Sequence, residues 1–343
     1  MLKTNTSIPS KMRAAVLTTK QNIRLEDRPV PQPEADQVLI QVKAVSVCGS
    51  DVHYYLEGRI GDFVVERPLV LGHEVSGVIV GVGDNVPEQR IGQRVAIEPQ
   101  RPCGTCLQCR TGHYNLCPHM EFYATPPIDG AFQEYVTIQA SFAHPISDNV
   151  SYEEGALLEP LSVGLWACHK AHISPGARVL IAGAGPIGIL TAQAARAFGA
   201  AEIIVSDIQH ERRQQAMKYG ATSTLDPSKE SVEQLEVDAF IDCSGAAKAV
   251  QSGIRAVRGA GYAVLVGMGG DEMMLPVSVI QAREINVTGT FRYTNTWPMA
   301  AHLVASKQVD LSSMITARYD LEHAEDALKA SLDPQSIKII VTP

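Results

Sequence analysis

A glycine-rich segment, GAGPIG at residues 183–188, constrains the fold of this chain more than any other feature. It follows a short apolar run at 178–182 that predicts a strand, and it precedes a helical apolar pattern over 187–198. In this context Gly183 is expected to form the tight turn, Gly185 to let the backbone approach a pyrophosphate, and Gly188 to let helix and strand pack closely. The helix N-terminus adds free N–H groups and a favourable dipole for phosphate. We therefore predict a dinucleotide site, in preference to a structural turn of another α/β fold.

The residue after the next predicted strand indicates which dinucleotide binds. That strand covers 202–206, and Asp207 stands 19 residues after Gly188. A carboxylate at this position accepts hydrogen bonds from ribose hydroxyls and repels a 2′-phosphate. NAD is therefore favoured over NADP, although Arg212 and Arg213 are near enough in sequence to weaken the distinction.

Two domains are predicted within the 343 residues. Short alternating strands with Gly and Pro punctuation over 13–47 and 69–98 predict a mostly antiparallel, barrel-like β domain. Beyond residue 163 strands alternate with helices, with further strands at 237–242 and 263–267. This alternation predicts a doubly wound parallel sheet, so the fold class is α/β with a β-barrel domain beside it.

The end of the chain is expected to return to the first domain, through a helix at 299–306 and a strand at 336–342. We therefore assign residues 1–162 and 299–343 to the β-barrel domain and residues 163–298 to the nucleotide-binding domain.

Three residues of the first domain combine ligand types that zinc accepts. Cys48 lies 25 residues before His73, which is followed directly by Glu74. Three protein ligands of this kind leave a fourth position open, as in a catalytic zinc site. The alternative is a buried thiol with a His-Glu pair at the start of a helix.

A second zinc is predicted in a lobe at about residues 100–118. Four cysteines lie there in the pattern C-x2-C-x2-C-x7-C. Four thiolates this close in sequence can surround one tetrahedral metal, and they leave no position open for chemistry. An iron–sulfur cluster also accepts four thiolates, and a disulfide-rich loop is the third alternative. We favour structural zinc. The four cysteines are Cys103, Cys106, Cys109 and Cys117.

Composition narrows the function class. The formal net charge of −8 argues against binding to nucleic acid or to an acidic membrane surface. There is no long apolar run or apolar N-terminal segment, which predicts no membrane span and no secretory signal. Cysteines without a signal predict a reducing compartment, and we expect the protein in the cytoplasm.

Taken together, these residues resemble those of the zinc-dependent medium-chain dehydrogenases, and more narrowly the sorbitol (polyol) dehydrogenase branch. The resemblance covers essentially the whole chain after a short N-terminal extension. It implies a GroES-like domain that bears the catalytic zinc, a Rossmann domain, and an active site in the cleft between them. The motifs that carry it are CGSDVHYY (48–55), GRIGDFV (58–64), GHE (72–74), ATPP (124–127), EEGALLEPLSVG (153–164), GAGPIG (183–188) and FRYTNTWP (291–298).

The resemblance also implies roles for individual residues. Cys48, His73 and Glu74 match the catalytic zinc ligands, and Glu159 matches an acidic residue that reaches the metal directly or through its water. Tyr54, Glu159, Arg292 and Tyr293 match positions that contact a polyol. The matched cofactor contacts are Gly183, Gly185, Pro186, Ile187, Gly188, Asp207, Arg212, Val266, Gly267, Met268, Thr290, Phe291 and Arg292. Some animal members lack the lobe cysteines, so this chain resembles two-zinc members, and a homotetramer is implied.

Three residues are candidates to carry the proton away from the reacting hydroxyl. Glu159 is favoured as the base, and Ser50 and His53 as relay groups. Ser50 and His53 have an alternative role in orienting the zinc ligands, because such groups often surround a metal site. Tyr54 and Tyr293 have an alternative role as core aromatics, and Arg292 as a partner of a carboxylate.

The predicted function is a zinc-dependent oxidoreductase that transfers hydride from a secondary hydroxyl of a small polyol, such as sorbitol or xylitol, to NAD⁺. An alternative substrate is another secondary alcohol, such as L-threonine or butanediol. A non-catalytic NAD-binding protein and a metal-free reductase are both disfavoured by the zinc ligands. A phosphorylated polyol stays open as a substrate.

Overall fold

The computed structural model of the chain describes residues 3–4 and 8–343. Within these residues the chain forms two compact units. The first unit runs to Glu159 and also includes Trp297–Ser306 and Leu311–Pro343, whereas the second covers Pro160–Thr296 and Lys307–Asp310. No helix in the described part of the chain is both long and apolar enough to cross a membrane.

The bounds of the elements follow the chain through the first unit, the second, and back to the first. Up to residue 156 they are β1 (Lys3–Thr4), β2 (Lys11–Thr19), β3 (Asn22–Pro29), β4 (Gln37–Ser46), α1 (Gly49–Glu57), β5 (Arg59–Ile60), β6 (Phe63–Val64), β7 (Leu69–Val70), β8 (Glu74–Val82), β9 (Arg94–Ile97), β10 (Gln100–Arg101), α2 (Leu107–Arg110), β11 (Glu121–Phe122), β12 (Tyr135–Gln139), β13 (Ala143–Pro145) and α3 (Tyr152–Ala156). From residue 158 they are α4 (Leu158–Lys170), β14 (Arg178–Ala182), α5 (Pro186–Ala197), β15 (Glu202–Ser206), α6 (His210–Lys218), β16 (Ser223–Leu225), β17 (Val237–Asp242), α7 (Ala247–Ala256), β18 (Val257–Leu265), α8 (Val277–Arg283) and β19 (Asn286–Gly289). The final elements are α9 (Trp297–Ala305), β20 (Ile315–Asp320), α10 (Ala324–Ala330) and β21 (Lys338–Thr342).

The main sheet of the first unit has the strand order β13-β9-β8-β4-β21-β20, and β12 also pairs with β4. These pairings are antiparallel, except that β20 and β21 run parallel. Successive side chains of a strand point to opposite faces, so Val38, Ile40 and Val42 of β4 share one face. They lie in the same buried core as Val75 and Ile79 of β8. The predicted, mostly antiparallel β domain is confirmed.

The second unit contains a parallel sheet in the order β16-β15-β14-β17-β18-β19. This is the doubly wound order 3-2-1-4-5-6, in which the direction of winding reverses beside the first strand. The reversal here lies between β14 and β17, and ligands of such sheets bind at the carboxyl ends of the strands at that point. The strands predicted at 178–182, 202–206 and 237–242 coincide with β14, β15 and β17.

The strand predicted at 263–267 is wrong at both ends, because β18 begins at Val257 and ends at Leu265. The backbone N–H groups of Val266 and Gly267 both donate to the Asp242 carbonyl, at 2.9 Å each. Both residues therefore leave the strand ladder and form a turn at the carboxyl edge of the sheet.

Close packing of α7 on β17 gives a test of the core of the second unit. A Cβ atom at Gly253 would lie 2.2 Å from two ring atoms of the fully buried Phe240. We expect Gly253→Val to destabilise the chain by about 1–3 kcal/mol, the usual cost of overpacking a core. Gly259→Ala is the matched control, because its Cβ would meet nothing closer than 3.9 Å. Denaturant unfolding measures both variants. Equal unfolding midpoints for Gly253→Val and Gly259→Ala would contradict this packing.

Candidate active site

The sulfur, imidazole and carboxylate predicted to bind the catalytic metal converge in the first unit. One ligand atom from each of Cys48, His73 and Glu74 lies within 4.8 Å of the others. Pairing of β4 with β8 brings them together, since Ser46 lies opposite Glu74 in the register. Cys48 follows β4 as the N-cap of α1, and His73 directly precedes β8. Glu74 therefore begins a strand, and the alternative of a helix start at His73-Glu74 is wrong.

A buried carboxylate that the sequence reasoning did not single out supports two of these ligands. Asp51, with no exposed surface, accepts hydrogen bonds from the backbone N–H groups of Cys48 at 3.0 Å and Gly72 at 2.9 Å. One of its oxygens lies 3.6 Å from His73 Nδ1. A carboxylate in this position fixes the ring of a ligating histidine. Asp51 therefore holds the Cys48 and His73 segments in place.

A buried lysine, also missed by the sequence reasoning, contacts the third ligand. Lys338 Nζ lies 2.8 Å from Glu74 Oε1, 2.6 Å from Oε2 and 2.8 Å from the Val47 carbonyl. Burial disfavours its charge, but Glu74 and the Cys48 thiolate outweigh this and raise the pKa of Lys338 above that of an ordinary lysine. Lys338 is therefore a fixed positive charge against Glu74.

The donor set fits a zinc ion. Glu74 Oε2 is buried and, despite its 2.6 Å approach to Lys338, receives no hydrogen bond of good geometry, which leaves it available to a metal. Burial disfavours the imidazolium form of His73, yet Cys48 and Asp51 raise its pKa well above the usual range of histidine. The surroundings thus favour a positive charge at this point, and a metal ion supplies one in place of a proton.

The other residues predicted around this site occupy different environments. Glu159 is buried near the start of α4, outside the group of three ligands, and its negative charge acts on Lys338. Tyr54 is buried in α1, whereas Ser50 near the start of that helix is half-buried. His53 points outward, 55% exposed, with Nδ1 3.7 Å from Glu57 one helical turn away. Their roles in catalysis stay predictions.

The four lobe cysteines also converge, and their ligand atoms lie within 4.8 Å of one another. Backbone N–H groups point at the sulfurs of three of them: Cys106 N donates to Cys103, Cys109 N to Cys106, and both Cys103 N and His119 N to Cys117, at 3.4–3.5 Å. Hydrogen bonds from Thr105 and from the Cys106 backbone lower the pKa of the Cys103 thiol to about 5. Such donors stabilise thiolate, the form that binds zinc.

A buried carboxylate ties this lobe to the barrel. Glu98, just after β9, accepts hydrogen bonds from the Tyr114 hydroxyl at 2.8 Å and from Gln100 Nε2 at 3.0 Å. Its other oxygen lies 2.8 Å from His144 Nε2, and the His144 ring stacks on Trp297 with the centroids 5.3 Å apart. The lobe is thus attached through a polar network centred on Glu98, together with an edge-to-face contact of the Tyr114 and Phe142 rings.

The glycine-rich turn of the second unit has the stereochemistry predicted for it. Gly183 has φ +95°, and a Cβ atom at Gly188 would lie 1.9 Å from the Gly183 carbonyl oxygen. Gly185, the N-cap of α5, has open space where a Cβ atom would be. Asp207 accepts hydrogen bonds from the backbone N–H groups of Ala184 and Gln209, both at 2.8 Å. The turn and the carboxylate are therefore locked together.

The remaining predicted cofactor residues also follow carboxyl ends of the parallel strands. Residues 266–268 come directly after β18, and residues 290–292 come directly after β19. Arg212 lies in the first turn of α6, which follows Asp207. The sheet therefore brings the predicted cofactor positions to one edge, which is where dinucleotides bind in this topology.

Two predicted substrate residues lie in the same segment of the second unit. Arg292 is half-buried, has φ +54°, and holds its guanidinium 4.8 Å from the centre of the Phe291 ring. Tyr293 is fully buried. Neither role in substrate binding follows from these contacts alone, so both stay predictions.

Comparison with known proteins identifies the family. Residues 34–148 match the family model of the alcohol dehydrogenase GroES-like domain, and residues 186–306 match that of the zinc-binding dehydrogenases. The sorbitol dehydrogenase of Bacillus subtilis (strain 168) is 41% identical over 348 aligned residues, covering 98% of this chain and 99% of that protein. The chain belongs to the sorbitol dehydrogenase branch of the zinc-dependent medium-chain dehydrogenases.

Two further relatives agree with this identification. Human sorbitol dehydrogenase is 42% identical over 330 residues, covering 93% of this chain and 92% of that protein. The crystal structure of L-idonate 5-dehydrogenase from Escherichia coli str. K-12 superposes with a TM-score of 0.92 at 30% identity, covering 100% of this dehydrogenase and 99% of that chain.

Membership of this branch confirms several predictions from the sequence. The fold combines a GroES-like domain with a Rossmann domain, and the cofactors are zinc and NAD(H). The predicted activity, that of a zinc-dependent polyol dehydrogenase, is confirmed at the level of the branch.

The lobe of this dehydrogenase provides a test of the second metal. Cys106→Ser removes one of four thiolates, and we expect zinc content to fall from two ions per chain to one, because the site then has three strong ligands. The lobe should become sensitive to protease, since metal binding and local folding are coupled. Cys168→Ala is the control, because this buried thiol lies in the second unit and should leave both ions bound. Two ions retained in Cys106→Ser would contradict the assignment.

Proposed function

We propose that this dehydrogenase oxidises a secondary hydroxyl of a sorbitol-like or xylitol-like polyol to the ketose, with NAD⁺ as the hydride acceptor. The observation that carries the proposal is the convergence of half-buried Cys48 with buried His73 and Glu74, whose ligand atoms lie within 4.8 Å of one another. Those ligands suit a catalytic zinc, because only three protein groups are used. The relatives named sorbitol dehydrogenase, at 41% and 42% identity, support a polyol as the substrate.

Zinc and NAD⁺, when bound, supply a Lewis acid for the hydroxyl oxygen and an acceptor for the hydride. The chain's own residues hold and orient these groups and handle the proton. Cys48, His73 and Glu74 are the proposed ligands. Glu159, buried and acidic, is the proposed acceptor of the hydroxyl proton, directly or through water. Exposed His53 and half-buried Ser50 are the proposed groups that pass the proton to solvent.

Tyr54, Arg292 and Tyr293 are the proposed partners of the remaining hydroxyls, with Glu159. A polyol carries several hydroxyl groups, and a site built to hydrogen-bond them rejects analogues that lack them. Tyrosine hydroxyls both donate and accept hydrogen bonds, whereas guanidinium only donates. This mixture suits a polyhydroxylated substrate better than a simple alcohol.

The nucleotide is proposed to bind along the carboxyl edge of the parallel sheet. Gly183 to Gly188 would receive the pyrophosphate, and residues 266–268 and 290–292 would line the rest of the cofactor. Asp207 would accept hydrogen bonds from the ribose. Each of its oxygens already accepts one backbone hydrogen bond and retains a second lone pair for this purpose.

Oligomeric state and compartment are part of the proposal. A homotetramer follows from the resemblance to the branch. The cytoplasm, a reducing compartment, suits a lobe in which four thiols must stay reduced to bind zinc. L-Threonine and butanediol are the weaker substrate candidates, because the two relatives described above that are most similar in sequence, at 41% and 42% identity, are sorbitol dehydrogenases.

An absorbance assay at 340 nm tests the substrate. We expect NADH to form from NAD⁺ with sorbitol, xylitol or a related pentitol, and formation to stop after zinc is removed by a chelator and to resume when zinc is restored. NADP⁺ should be a poorer acceptor, because Asp207 would face its 2′-phosphate. The panel also includes ribitol, arabinitols, galactitol, galactitol 1-phosphate, L-threonine and 2,3-butanediol. Turnover of L-threonine or butanediol alone would reject the polyol while keeping the chemistry.

The role of Glu159 has a separate test. Glu159→Gln keeps the size of the side chain but removes its basicity, and we expect kcat to fall by about 10²–10⁴-fold, the usual contribution of a general base. Glu159 could reach the metal directly or through a water, and zinc content distinguishes the two. Loss of one ion in Glu159→Gln would show that Glu159 is a direct ligand. Glu153→Gln is the control, because this carboxylate is engaged with Arg318 at 2.6 Å. An unchanged kcat in Glu159→Gln would show that another group accepts the proton of the reacting hydroxyl.

A further inference from the structure

The last strand of the chain brings a lysine to the proposed catalytic metal site. β21 pairs with β4 in a register that places Ile340 opposite Ser46, and the Val47 backbone N–H donates to the Ile339 carbonyl at 2.9 Å. Lys338, the first residue of β21, thereby lies beside the end of β4, where the chain turns into Cys48. Its position is set by backbone pairing, not by a flexible loop.

We propose that Lys338 is a positioning residue for the catalytic zinc, which fixes the carboxylate of Glu74 and the chain segment that enters Cys48 in their metal-binding arrangement. Its ammonium group donates to Glu74 Oε1 at 2.8 Å and to the Val47 carbonyl at 2.8 Å. One cation therefore joins two ligand-bearing segments that lie 26 residues apart in sequence, from Cys48 to Glu74. The inference rests on the ligand set proposed above.

The geometry leaves a defined part of Glu74 for the metal. Oε1 accepts the lysine hydrogen bond at 2.8 Å, whereas Oε2 lies 2.6 Å from the same Nζ but receives no hydrogen bond of good geometry, which leaves its lone pairs available to a metal. A ligating carboxylate is commonly held by a hydrogen bond to a neighbouring group, and loss of that neighbour typically weakens metal affinity 10–100-fold. Lys338 has this relation to Glu74.

Fold stability alone does not account for a lysine at this position. Lys338 and Glu74 are 4% and 1% exposed, so both charges have lost their hydration. Replacing such a pair by apolar side chains is often neutral or stabilising, so a buried pair is weak evidence of a stabilising role. The ammonium instead contacts both oxygens of Glu74, a proposed metal ligand, and the carbonyl of Val47, the residue that precedes the proposed ligand Cys48. A role toward the metal is the better explanation.

The test measures zinc binding by the full-length protein, using competition with a chromophoric chelator. We expect Lys338→Met to bind one of its two zinc ions about 10–100-fold more weakly, with the lobe ion unaffected. Cobalt(II) in place of zinc gives a second readout, since its thiolate absorption bands report the geometry around Cys48 and should shift. Lys338→Arg, which keeps the charge and the donors, should recover most of the affinity. Lys338→Gln, with a donor but no charge, replaces the methionine variant if that variant does not fold.

Lys329→Met is the matched control. Lys329 pairs with Glu325 at 2.8 Å in the same unit, but its side chain is 54% exposed, and its loss should change neither the zinc affinity nor the cobalt spectrum. Unchanged or tighter zinc binding in folded Lys338→Met, with an unchanged cobalt spectrum, would overturn the inference.

A separate control distinguishes this inference from the proposed site itself. His73→Ala should lose the catalytic ion and keep the lobe ion. If the unaltered protein held only one ion, or if His73→Ala retained two, the ligand set would be wrong and the role of Lys338 would fall with it. The unaltered protein could instead hold two ions and His73→Ala one, while Lys338→Met binds zinc with full affinity. That result would reject the proposed role of Lys338 and leave the ligand set standing.

Discussion

Buried negative charge is the constraint on which the metal site of the first unit depends. Cys48, Glu74 and Glu159 lie close enough to Lys338 to raise its pKa, and Asp51 is fully buried against the same segments. Carboxylates and thiolates in an apolar interior are costly unless each finds a donor or a cation. Asp51 is satisfied by two backbone N–H groups, and Glu74 by the lysine. The negative charge that remains favours a cation bound by Cys48 and His73, and a zinc ion would supply it.

The predictions that succeeded from sequence share one physical property, which is that their evidence is local. GAGPIG is recognisable because strand, turn and helix occupy neighbouring positions, and steric demands at Gly183 and Gly188 act within six residues. The lobe cysteines are equally local, since N–H groups two or three residues away aim at their sulfurs. In both cases the chemistry depends on spacing, and spacing is visible in the sequence.

The residues that the sequence reasoning missed are long-range partners. Lys338 contacts Glu74, which lies 264 positions away in the sequence, and Glu98 contacts His144, which lies 46 positions away. In the sequence Lys338 is one polar residue at the beginning of an apolar strand, where lysine is ordinarily a solvated residue. Only the pairing of β21 with β4 shows that it is buried. Asp51 was visible inside a motif, and its bond from Cys48 N is local, but its bond from Gly72 N joins residues 21 positions apart, just before β8. The C-terminal limit of β18 also involves a distant partner, because the N–H groups of Val266 and Gly267 both donate to the Asp242 carbonyl of the neighbouring strand.

The pairing of β21 with β4 also links metal binding to closure of the barrel. The ligands Cys48 and Glu74 come from the ends of β4 and β8, which pair with each other early in the chain. Lys338 joins them only when the last strand has paired with β4, at Ile340 and Val341. Without that pairing Glu74 lacks the Lys338 ammonium, which orients its carboxylate. The complete ligand geometry therefore belongs to the folded first unit as a whole, and zinc, by binding this geometry, stabilises the pairing of the final strand.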